Sequence, residues 1–251
     1  MMFQQKKMVN RAMTVNAHRG YSAQFPENTL LAFEKAIELG ADYIELDVRE
    51  SRDRQLVISH DATLDSRAGI SKRVCDLTLD ELKNVDVGQG QYVPSLSEVL
   101  ELCSGKIGIH IEIKEVGLTG KIATMVQDYQ MEDNVIFSSF QHIEILRIRE
   151  ILPDCITAIC VPATNIETSN QTRINDLFFD KAELFKANGI HINQRYVDDY
   201  FVTDAHTRGY FVNAWNVDSP LMWEAFRDMG MDGIFTNEAK KFIELDRKSV
   251  V

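Results

Sequence analysis

Seven polar residues at the ends of apolar, strand-like segments are the part of this sequence best equipped to do chemistry. In chain order they are His18, Arg19, Glu45, Asp47, His60, Glu112 and Lys114. Two imidazoles, three carboxylates and two cations are more ionisable groups than a packed core needs, because such groups are rarely buried without a partner. A metal-assisted attack on a phosphate ester uses this combination of groups, and that chemistry is our first hypothesis.

Three of the seven residues are carboxylates with the spacing of a cation site. Glu45 and Asp47 are two residues apart on a predicted strand, so their side chains project from the same face. Adjacent carboxylates repel each other unless a cation or protons lie between them. Together with Glu112 they offer three hard oxygen ligands, which suit one divalent ion, Mg²⁺ or Ca²⁺, with Mn²⁺ as a further candidate. The alternative is a solvated strand end that carries surface carboxylates.

The two histidines of the set are candidate catalysts. Histidine titrates near neutral pH, so a neutral and a protonated imidazole can act in one site as base and acid. We assign these roles to His18 and His60 and favour His18 as the base, with the reverse assignment left open. The remaining histidines lie in predicted strands or helices and are interpreted as structural: His110, His142, His191 and His206.

Arg19 and Lys114 provide positive charge for a phosphate group. Arginine presents a planar fork of donors and lysine a compact point charge, and the two differ in how they grip phosphate oxygens. Lys114 shares a strand face with Glu112, so a simple ion pair between these two residues is the alternative interpretation.

Strand and helix patterns alternate along the chain and predict eight strand-then-helix units. The predicted strands are Met13–Ala17, Tyr43–Val48, Ile107–Ile113, Val135–Phe140, Cys155–Val161, Gly189–Asn193, Tyr210–Val217 and Gly233–Thr236. A further run, Gln55–Ser59, follows too closely for a crossover helix, so it shares the second unit through a turn at Arg52–Arg54. Eight parallel units predict an α/β fold, the (β/α)8 TIM barrel. A doubly wound open sheet is the alternative, but the chain lacks its Gly-rich turn.

The barrel predicts where the polar residues meet. Active sites of this fold lie at the carboxyl ends of the strands, and every candidate residue lies at or near the end of a strand-like run. After His60 the alternation stops, and residues 61–94 carry scattered polar residues and glycines with one helical piece at Thr78–Asn84. We interpret 61–94 as an insertion within a single domain that spans residues 1–251.

Composition narrows the class of protein. The chain has a net charge of -11 and a pI near 5.0, which argues against nucleic-acid binding because that normally needs a basic face. No run approaches the length of a membrane span, and the N-terminal MMFQQKKMVNRAM lacks the apolar core of a signal peptide. The four cysteines are interpreted as buried free thiols of a reducing compartment. We therefore expect a cytoplasmic protein with a small-molecule substrate; its oligomeric state is not indicated.

Short motifs along most of the chain resemble one known family. The specific ones are His18-Arg19-Gly20, Pro26-Glu27-Asn28-Thr29, Glu45-Leu46-Asp47 and His60-Asp61 with Thr63-Leu64. Further matches are Pro94-Ser95-Leu96, Ile111-Glu112-Ile113-Lys114, Ser139-Phe140, Trp215-Asn216-Val217 and Asp232–Asn237. This set resembles the glycerophosphodiester phosphodiesterase family.

The resemblance implies a TIM barrel with a small insertion after the strand that ends at His60. It also implies hydrolysis of a glycerophosphodiester to glycerol 3-phosphate and an alcohol, with either water or the glycerol's own hydroxyl as nucleophile. The implied residue roles are a divalent metal site at Glu45, Asp47 and Glu112, catalytic histidines at His18 and His60, phosphate contacts from Arg19 and Lys114, and a pocket wall at Trp215.

One segment departs from the family pattern. Many members carry an arginine-threonine pair after the aspartate-leucine stretch behind the second histidine, whereas here Asp65 is followed by Ser66-Arg67-Ala68-Gly69. The departure leaves the alcohol group open. Two other functions are alternatives: a lysophospholipase D-like or sphingomyelinase D-like activity on lipids, which would need an apolar rim, and a non-catalytic phosphate-binding or scaffold role.

Overall fold

A computed structural model describes residues 13–162 and 171–249, and eight of its strands close into a parallel barrel. The barrel strands are β1 (Thr14–Ala17), β2 (Tyr43–Glu50), β6 (Gly108–Ile113), β7 (Val135–Ser139), β8 (Ile156–Val161), β9 (Gly189–Asn193), β10 (Phe211–Trp215) and β11 (Gly233–Thr236). The ring is closed because β1 pairs in parallel with both β2 and β11. The predicted (β/α)8 barrel is therefore confirmed. The first twelve residues, which belong to the N-terminal stretch predicted not to be a signal peptide, lie outside the described ranges.

Each barrel strand is followed by a helix on the outside of the barrel. These helices are α1 (Leu30–Leu39), α4 (Leu96–Cys103), α5 (Thr119–Asp128), α6 (His142–Ile151), α7 (Gln171–Leu184), α8 (Asp199–Thr207), α9 (Pro220–Asp228) and α10 (Ala239–Ser249). Helix α1 begins two residues later than predicted, because Asn28 adopts a positive φ of 55° and Thr29 caps the helix by accepting from the Ala32 amide. Such an N-cap satisfies one of the unpaired amides of the first turn.

The short strand β3 (Leu56–Ile58) carries His60 into the barrel rim by a different route from the other candidate residues. It runs antiparallel to the end of β2, with Val48 opposite Ile58. Strand β2 thus extends beyond the rim, turns at Arg54, and returns through β3 until the Ser59 amide donates to the Asp47 carbonyl. The predicted turn is confirmed, but His60 is delivered by a returning hairpin strand and not by the carboxyl end of a parallel one.

The insertion at 61–94 has its own secondary structure and a small core. It contains a two-stranded sheet of β4 (Thr63–Leu64) and β5 (Ile70–Arg73), with α2 (Asp65–Ala68) between them and α3 (Leu79–Lys83) after them. Seven buried apolar side chains hold it to the β2–β3 hairpin: Val57, Leu64, Val74, Leu77, Leu82, Val87 and Val93. The sequence predicted α3 but not the small sheet, because its strands are too short to show a period.

All four cysteines are free, as predicted. Cys103, Cys155 and Cys160 are buried, whereas Cys75 is only half-buried, which corrects the expectation that all four thiols lie inside. Burial raises the pKa of the Cys103 thiol to about 12 and that of Cys155 to about 11. Within residues 13–162 and 171–249, no helix combines the length and apolar character that a membrane span needs.

Candidate active site

The three predicted metal ligands come together at the barrel rim. Glu45 and Asp47 project from β2, and Asp47 lies directly beside Glu112 of β6 in the parallel register. One carboxylate oxygen from each residue lies within 4.8 Å of the other two, and Asp47 is 1% exposed. Burial raises the pKa of Glu45 well above its usual value, and the charges of Asp47 and Glu112 raise it further. Burial also raises the pKa of Glu112, with Lys114 opposing the shift.

This carboxylate cluster fits a divalent cation. Oxygen ligands lie about 2.0–2.6 Å from Mg²⁺ or Ca²⁺, so oxygens that share an ion are at most about 5 Å apart. The 4.8 Å spread of the three oxygens meets that limit. Hard carboxylate oxygens are also the donors that these ions prefer. The donor set alone does not distinguish Mg²⁺ from Ca²⁺ or Mn²⁺.

The two predicted phosphate-binding cations both contact Asp47. Lys114 Nζ lies 2.7 Å from Glu112 Oε1 and 3.1 Å from Asp47 Oδ1, and Arg19 Nε lies 3.6 Å from Asp47 Oδ2. The Glu112–Lys114 ion pair that the sequence left as an alternative is therefore formed. Burial alone would raise the pKa of Asp47, but Lys114 and then Arg19 outweigh it and hold that pKa well below its usual range.

Arg19 is also held by hydrogen bonds to Glu27 and Glu45. Its guanidinium donates to both oxygens of Glu27, at 3.1 and 2.9 Å, and its backbone amide donates to Glu45 at 2.9 Å. Arg19 adopts a positive φ of 58°, a backbone conformation that is rare for residues other than glycine. The β1–α1 loop is thus tied directly to the carboxylate cluster.

His18 is half-buried beside that cluster, with its side chain 15% exposed. Its Nε2 lies 4.0 Å from Glu45 Oε2, and its Nδ1 lies 3.0 Å from Asn237 Oδ1. Burial, followed by the positive charge of Arg19, lowers the pKa of His18 to about 4. The imidazole is therefore neutral near pH 7, which is the protonation state of a general base.

His60 has a different environment. Its side chain is 35% exposed, and Nδ1 lies 2.8 Å from Asp61 Oδ1, whose other oxygen accepts from Ser66 at 2.6 Å. The hydrogen bond from Ser66 is the largest of the effects that lower the pKa of Asp61. An ionised Asp61 accepts the Nδ1 proton and leaves Nε2 as the ring nitrogen available to a ligand.

A cavity of about 300 Å³ joins these groups. His18, Arg19, Glu45, His60 and Glu112 line it together with Ser138, Phe140, Cys160, His191, Trp215, Asn216 and Phe235. Trp215 forms part of the wall, where it packs edge-to-face on Phe140 and its indole donates to the Val161 carbonyl at 3.3 Å. Asp47 and Lys114 are not part of this lining but lie next to it, Asp47 beside Glu112 in the strand register and Lys114 in an ion pair with Glu112. His191, predicted to be structural, forms part of the lining, and burial lowers its pKa to about 3.

Sequence reasoning assigned no role to several residues that hold the site. Asn28 donates to Asp47 Oδ2 at 2.7 Å, Glu27 binds Arg19, and Asp218 holds the Asn237 that contacts His18. Asn28 carried a usable signal, since an asparagine just before a helix cap often takes positive φ. Asn237 is the last residue of the Asp232–Asn237 motif, whereas Asp218, in the loop after β10, carried no signal of its own.

This chain is similar to known proteins along most of its length. Residues 18–241 match the model of the Glycerophosphoryl diester phosphodiesterase family. A glycerophosphodiester phosphodiesterase of Caldanaerobacter subterraneus is 32% identical over 93% of this chain and 98% of its own length.

Two solved structures have the same fold. The glycerophosphodiester phosphodiesterase of Thermotoga maritima is 31% identical, with a TM-score of 0.77 over 93% of this chain and 98% of its own. A phosphodiesterase of Oleispira antarctica, solved in complex with the product sn-glycerol-3-phosphate, is 26% identical, with a TM-score of 0.80 over 94% and 96% of the two chains. The chain belongs to the glycerophosphoryl diester phosphodiesterase family.

Proposed function

We propose that this enzyme hydrolyses glycerophosphodiesters to glycerol 3-phosphate and an alcohol, with one divalent ion held by Glu45, Asp47 and Glu112. The observation that carries the proposal is the convergence of these three carboxylates with His18, His60 and Arg19 around one cavity. The product bound to the Oleispira antarctica relative supports the assignment of the substrate class.

His18 serves as the general base in this proposal. Its lowered pKa keeps the ring neutral near pH 7, and a bound cation beside Glu45 would lower that pKa further. The ring nitrogen Nε2 then accepts the proton of the attacking hydroxyl group. General acid–base assistance of this kind contributes about 10²–10⁴-fold to a rate.

His60 serves as the general acid. Asp61 at 2.8 Å from Nδ1 orients the ring and leaves Nε2 facing the ligand. Its Nε2 protonates the oxygen of the departing alcohol. The two histidines therefore divide the proton transfers, and His18 is the less exposed of the two.

Arg19 and Lys114 supply positive charge next to the phosphoryl oxygens. Such fixed charges stabilise the transition state more than the ground state, because negative charge accumulates on those oxygens as the bond breaks. When bound, the divalent ion adds a Lewis acid to this positive set. Lys114 also holds Asp47 and Glu112 in place, so we assign it both a positioning and a charge-balancing role.

A second groove indicates where the alcohol leaves. It has a volume of about 700 Å³ and shares Arg19 and His60 with the cavity, so His60 lies at the boundary between the two. Its lining combines the apolar Ala23, Phe25, Pro26 and Val87 with polar residues that include Ser22, Gln24, Glu27, Asp61, Ser66, Arg67 and Gln89. We therefore expect an alcohol with polar groups on this side of the phosphate. In the lysophospholipase D-like alternative the acyl chain would lie on the glycerol side, so the products of the reaction distinguish the two activities.

The test is an assay of glycerol 3-phosphate release from glycerophosphodiesters and of choline release from lysophosphatidylcholine, because cleavage of this lipid at its head group leaves the acyl chain on the phosphate product. Glycerophosphodiesters with different polar alcohols are compared with lysophosphatidylcholine, each with EDTA or with added Mg²⁺, Mn²⁺ or Ca²⁺. We expect release from the polar diesters only, abolished by EDTA and restored by at least one ion. Activity that ignores EDTA would contradict the metal site, and turnover of the lipid alone would favour the lipid-active alternative.

The matched variants are His60→Ala and His206→Ala. His206 lies on α8 and contacts Asp232, away from the cavity. We expect His60→Ala to lower kcat by about 10²–10⁴-fold, while His206→Ala keeps wild-type turnover. Wild-type turnover in folded His60→Ala would rule out its role as the acid.

A further inference from the structure

A chain of hydrogen bonds runs from Asp218 through Asn237 to His18. Asp218, in the loop after β10, accepts from Asn237 Nδ2 through its Oδ2 at 2.9 Å. Asn237, directly after β11, presents Oδ1 to His18 Nδ1 at 3.0 Å. Ser22 Oγ lies 2.8 Å from the same Oδ1. The chain thus connects the loops of the last two barrel strands to the residue that follows the first.

Asp218 determines which way the Asn237 amide points. A carboxylate has only acceptor oxygens, so it must face the NH₂ group of Asn237. The reverse orientation would set the amide oxygen against a carboxylate oxygen and leave both without a donor. The amide oxygen therefore faces His18, and an oxygen can bind His18 Nδ1 only if that nitrogen carries a proton.

We propose that Asp218 and Asn237 are positioning residues that hold neutral His18 in the tautomer with the proton on Nδ1 and the lone pair on Nε2. This inference rests on the proposed function, in which Nε2 of His18 is the base. In the opposite tautomer Nε2 would carry the proton and could accept none from the substrate. A wrong tautomer is known to impair catalysis even when the geometry of a site is intact.

The surroundings of Asp218 make this orientation rigid. Its Oδ1 accepts from the Asn237 backbone amide and from the Thr236 hydroxyl, each at 2.8 Å. Both oxygens are therefore engaged, and the carboxylate cannot rotate without losing these bonds. On the other side, the Ala23 amide donates to the Asn237 carbonyl at 3.1 Å and ties the backbone to the β1–α1 loop.

Substitution of Asp218 by asparagine should reverse the direction of the hydrogen bonds that run from Asp218 through Asn237 to His18. In Asp218→Asn the amide oxygen keeps the position that faces two donors, the Asn237 amide and the Thr236 hydroxyl. Its NH₂ group then faces Asn237, whose side chain must turn to present oxygen. The NH₂ of Asn237 consequently faces His18 Nδ1, which becomes an acceptor and moves the proton to Nε2.

The double variant Asp218→Asn with Asn237→Asp should restore the original tautomer. The new carboxylate at 237 accepts from the NH₂ at 218 with one oxygen and from His18 Nδ1 with the other. Donors and acceptors match again along these hydrogen bonds, although the negative charge has moved from position 218 to position 237. A residue that contributed only to stability would not show this pattern of loss and recovery.

The first experiment is nitrogen NMR of the histidine-labelled enzyme without metal, at a pH where His18 is neutral. The His18 resonances are assigned as those absent from His18→Gln. We expect a protonated Nδ1 in the wild type and in the double variant, and a protonated Nε2 in Asp218→Asn. A wild-type ring protonated on Nε2 would overturn the inference without any variant.

The second experiment is steady-state kinetics with saturating Mg²⁺ on the same proteins. Asp218→Asn should lose about 10²-fold in kcat with little change in KM, since only the base is affected, and the double variant should regain much of it. Asp204→Asn, a surface carboxylate that binds Arg208, is the control and should match the wild type.

The two experiments separate the inference from the proposed function. An unchanged His18 tautomer in folded Asp218→Asn, or a double variant whose tautomer stays inverted, would overturn the role of Asp218. An inverted tautomer with unchanged kcat would uphold the hydrogen-bond chain and instead contradict His18 as the base.

Discussion

At the scale of the residue, Asp47 is the centre of the site. It contacts Lys114, Arg19 and Asn28, so two cations and one amide surround a single carboxylate. Its pKa is held low while the pKa values of Glu45 and Glu112 are raised. Neighbouring carboxylates whose pKa values are pushed apart are a common property of active sites. Here the contrast arises because Asp47 pairs with both Lys114 and Arg19, whereas Glu112 shares Lys114 with Asp47.

The raised pKa values of Glu45 and Glu112 predict that metal binding is linked to protons. A carboxylate must lose its proton before it binds an ion. The affinity for Mg²⁺ should therefore fall as the pH falls through the raised pKa values, and binding should release protons in that pH range. Calorimetric titration in buffers of different ionisation enthalpy measures both quantities.

Glu45→Gln provides the comparison for this linkage. It removes the carboxyl group whose pKa is shifted more strongly, so proton release on binding should decrease. The affinity for Mg²⁺ should drop by more than about tenfold, because even residues that only hydrogen-bond to a metal ligand contribute that much. Asp204→Asn should bind like the wild type. An affinity that stays constant between pH 5 and 8 would contradict the prediction.

At the scale of the element, the β1–α1 loop depends on one close contact. Gly20 has a φ of +83°, and a Cβ at this position would lie 2.7 Å from the Ala32 backbone carbon of α1. The Tyr21 amide donates to the Ala32 carbonyl, and the Asn28 amide donates to the Arg19 carbonyl. The loop therefore packs directly on the first turn of α1, and this packing determines where His18 and Arg19 lie.

Gly20→Ala should lower both the stability and the activity of the enzyme. Positive φ alone costs about 1 kcal/mol for alanine. The added Cβ would also clash with the backbone of Ala32, and no side-chain rotation can relieve a clash with backbone atoms. Gly209→Ala is the matched control, because its φ is +85° with nothing within 4 Å of the added Cβ.

Denaturant unfolding and kcat are measured for both glycine variants. We expect Gly20→Ala to lose clearly more unfolding free energy than Gly209→Ala and to lose activity, whereas Gly209→Ala keeps full activity. Equal losses in the two variants would show that the contact with α1 has no importance.

At the scale of the whole molecule, the barrel interior below the site contains buried polar side chains as well as apolar ones. His110 and His191 lie with their ring centroids 5.2 Å apart, and each packs against Phe235. Burial lowers the pKa of both histidines, that of His191 to about 3. The folded barrel therefore keeps these rings neutral at pH values where the unfolded chain protonates them.

This difference predicts a loss of stability in acid. Between pH 6.5 and about 3 the unfolded state binds a proton at His191 that the folded state does not, so stability rises with pH across this window and falls as the pH is lowered. His191→Asn should reduce the proton uptake on unfolding at pH 5 by about one proton. Unfolding of the metal-free enzyme at pH 5 and 7.5 measures this difference.

Phe235→Leu is the control for the acid stability. It disturbs the same packing but removes no titratable group. Its unfolding free energy should therefore change by a similar amount at both pH values. If Phe235→Leu and His191→Asn showed the same pH dependence, burial of His191 would not be the cause.

The sequence by itself determined the parts that depend on local order. Alternating strand and helix patterns predicted the barrel, since strand-to-helix units of this length require parallel strands. The spacing of Glu45 and Asp47 placed both carboxylates on one face because side chains alternate along a strand. The residue types then indicated a metal and acid–base chemistry.

Only the tertiary structure decided what depends on closure of the ring. The sequence predicted the turn between β2 and β3, but the structure showed that β3 runs antiparallel to β2 and brings His60 back to the rim. Asn237 meets His18 across 219 residues of sequence because β11 pairs with β1. No local pattern encodes such a contact, since it arises when the last strand packs beside the first.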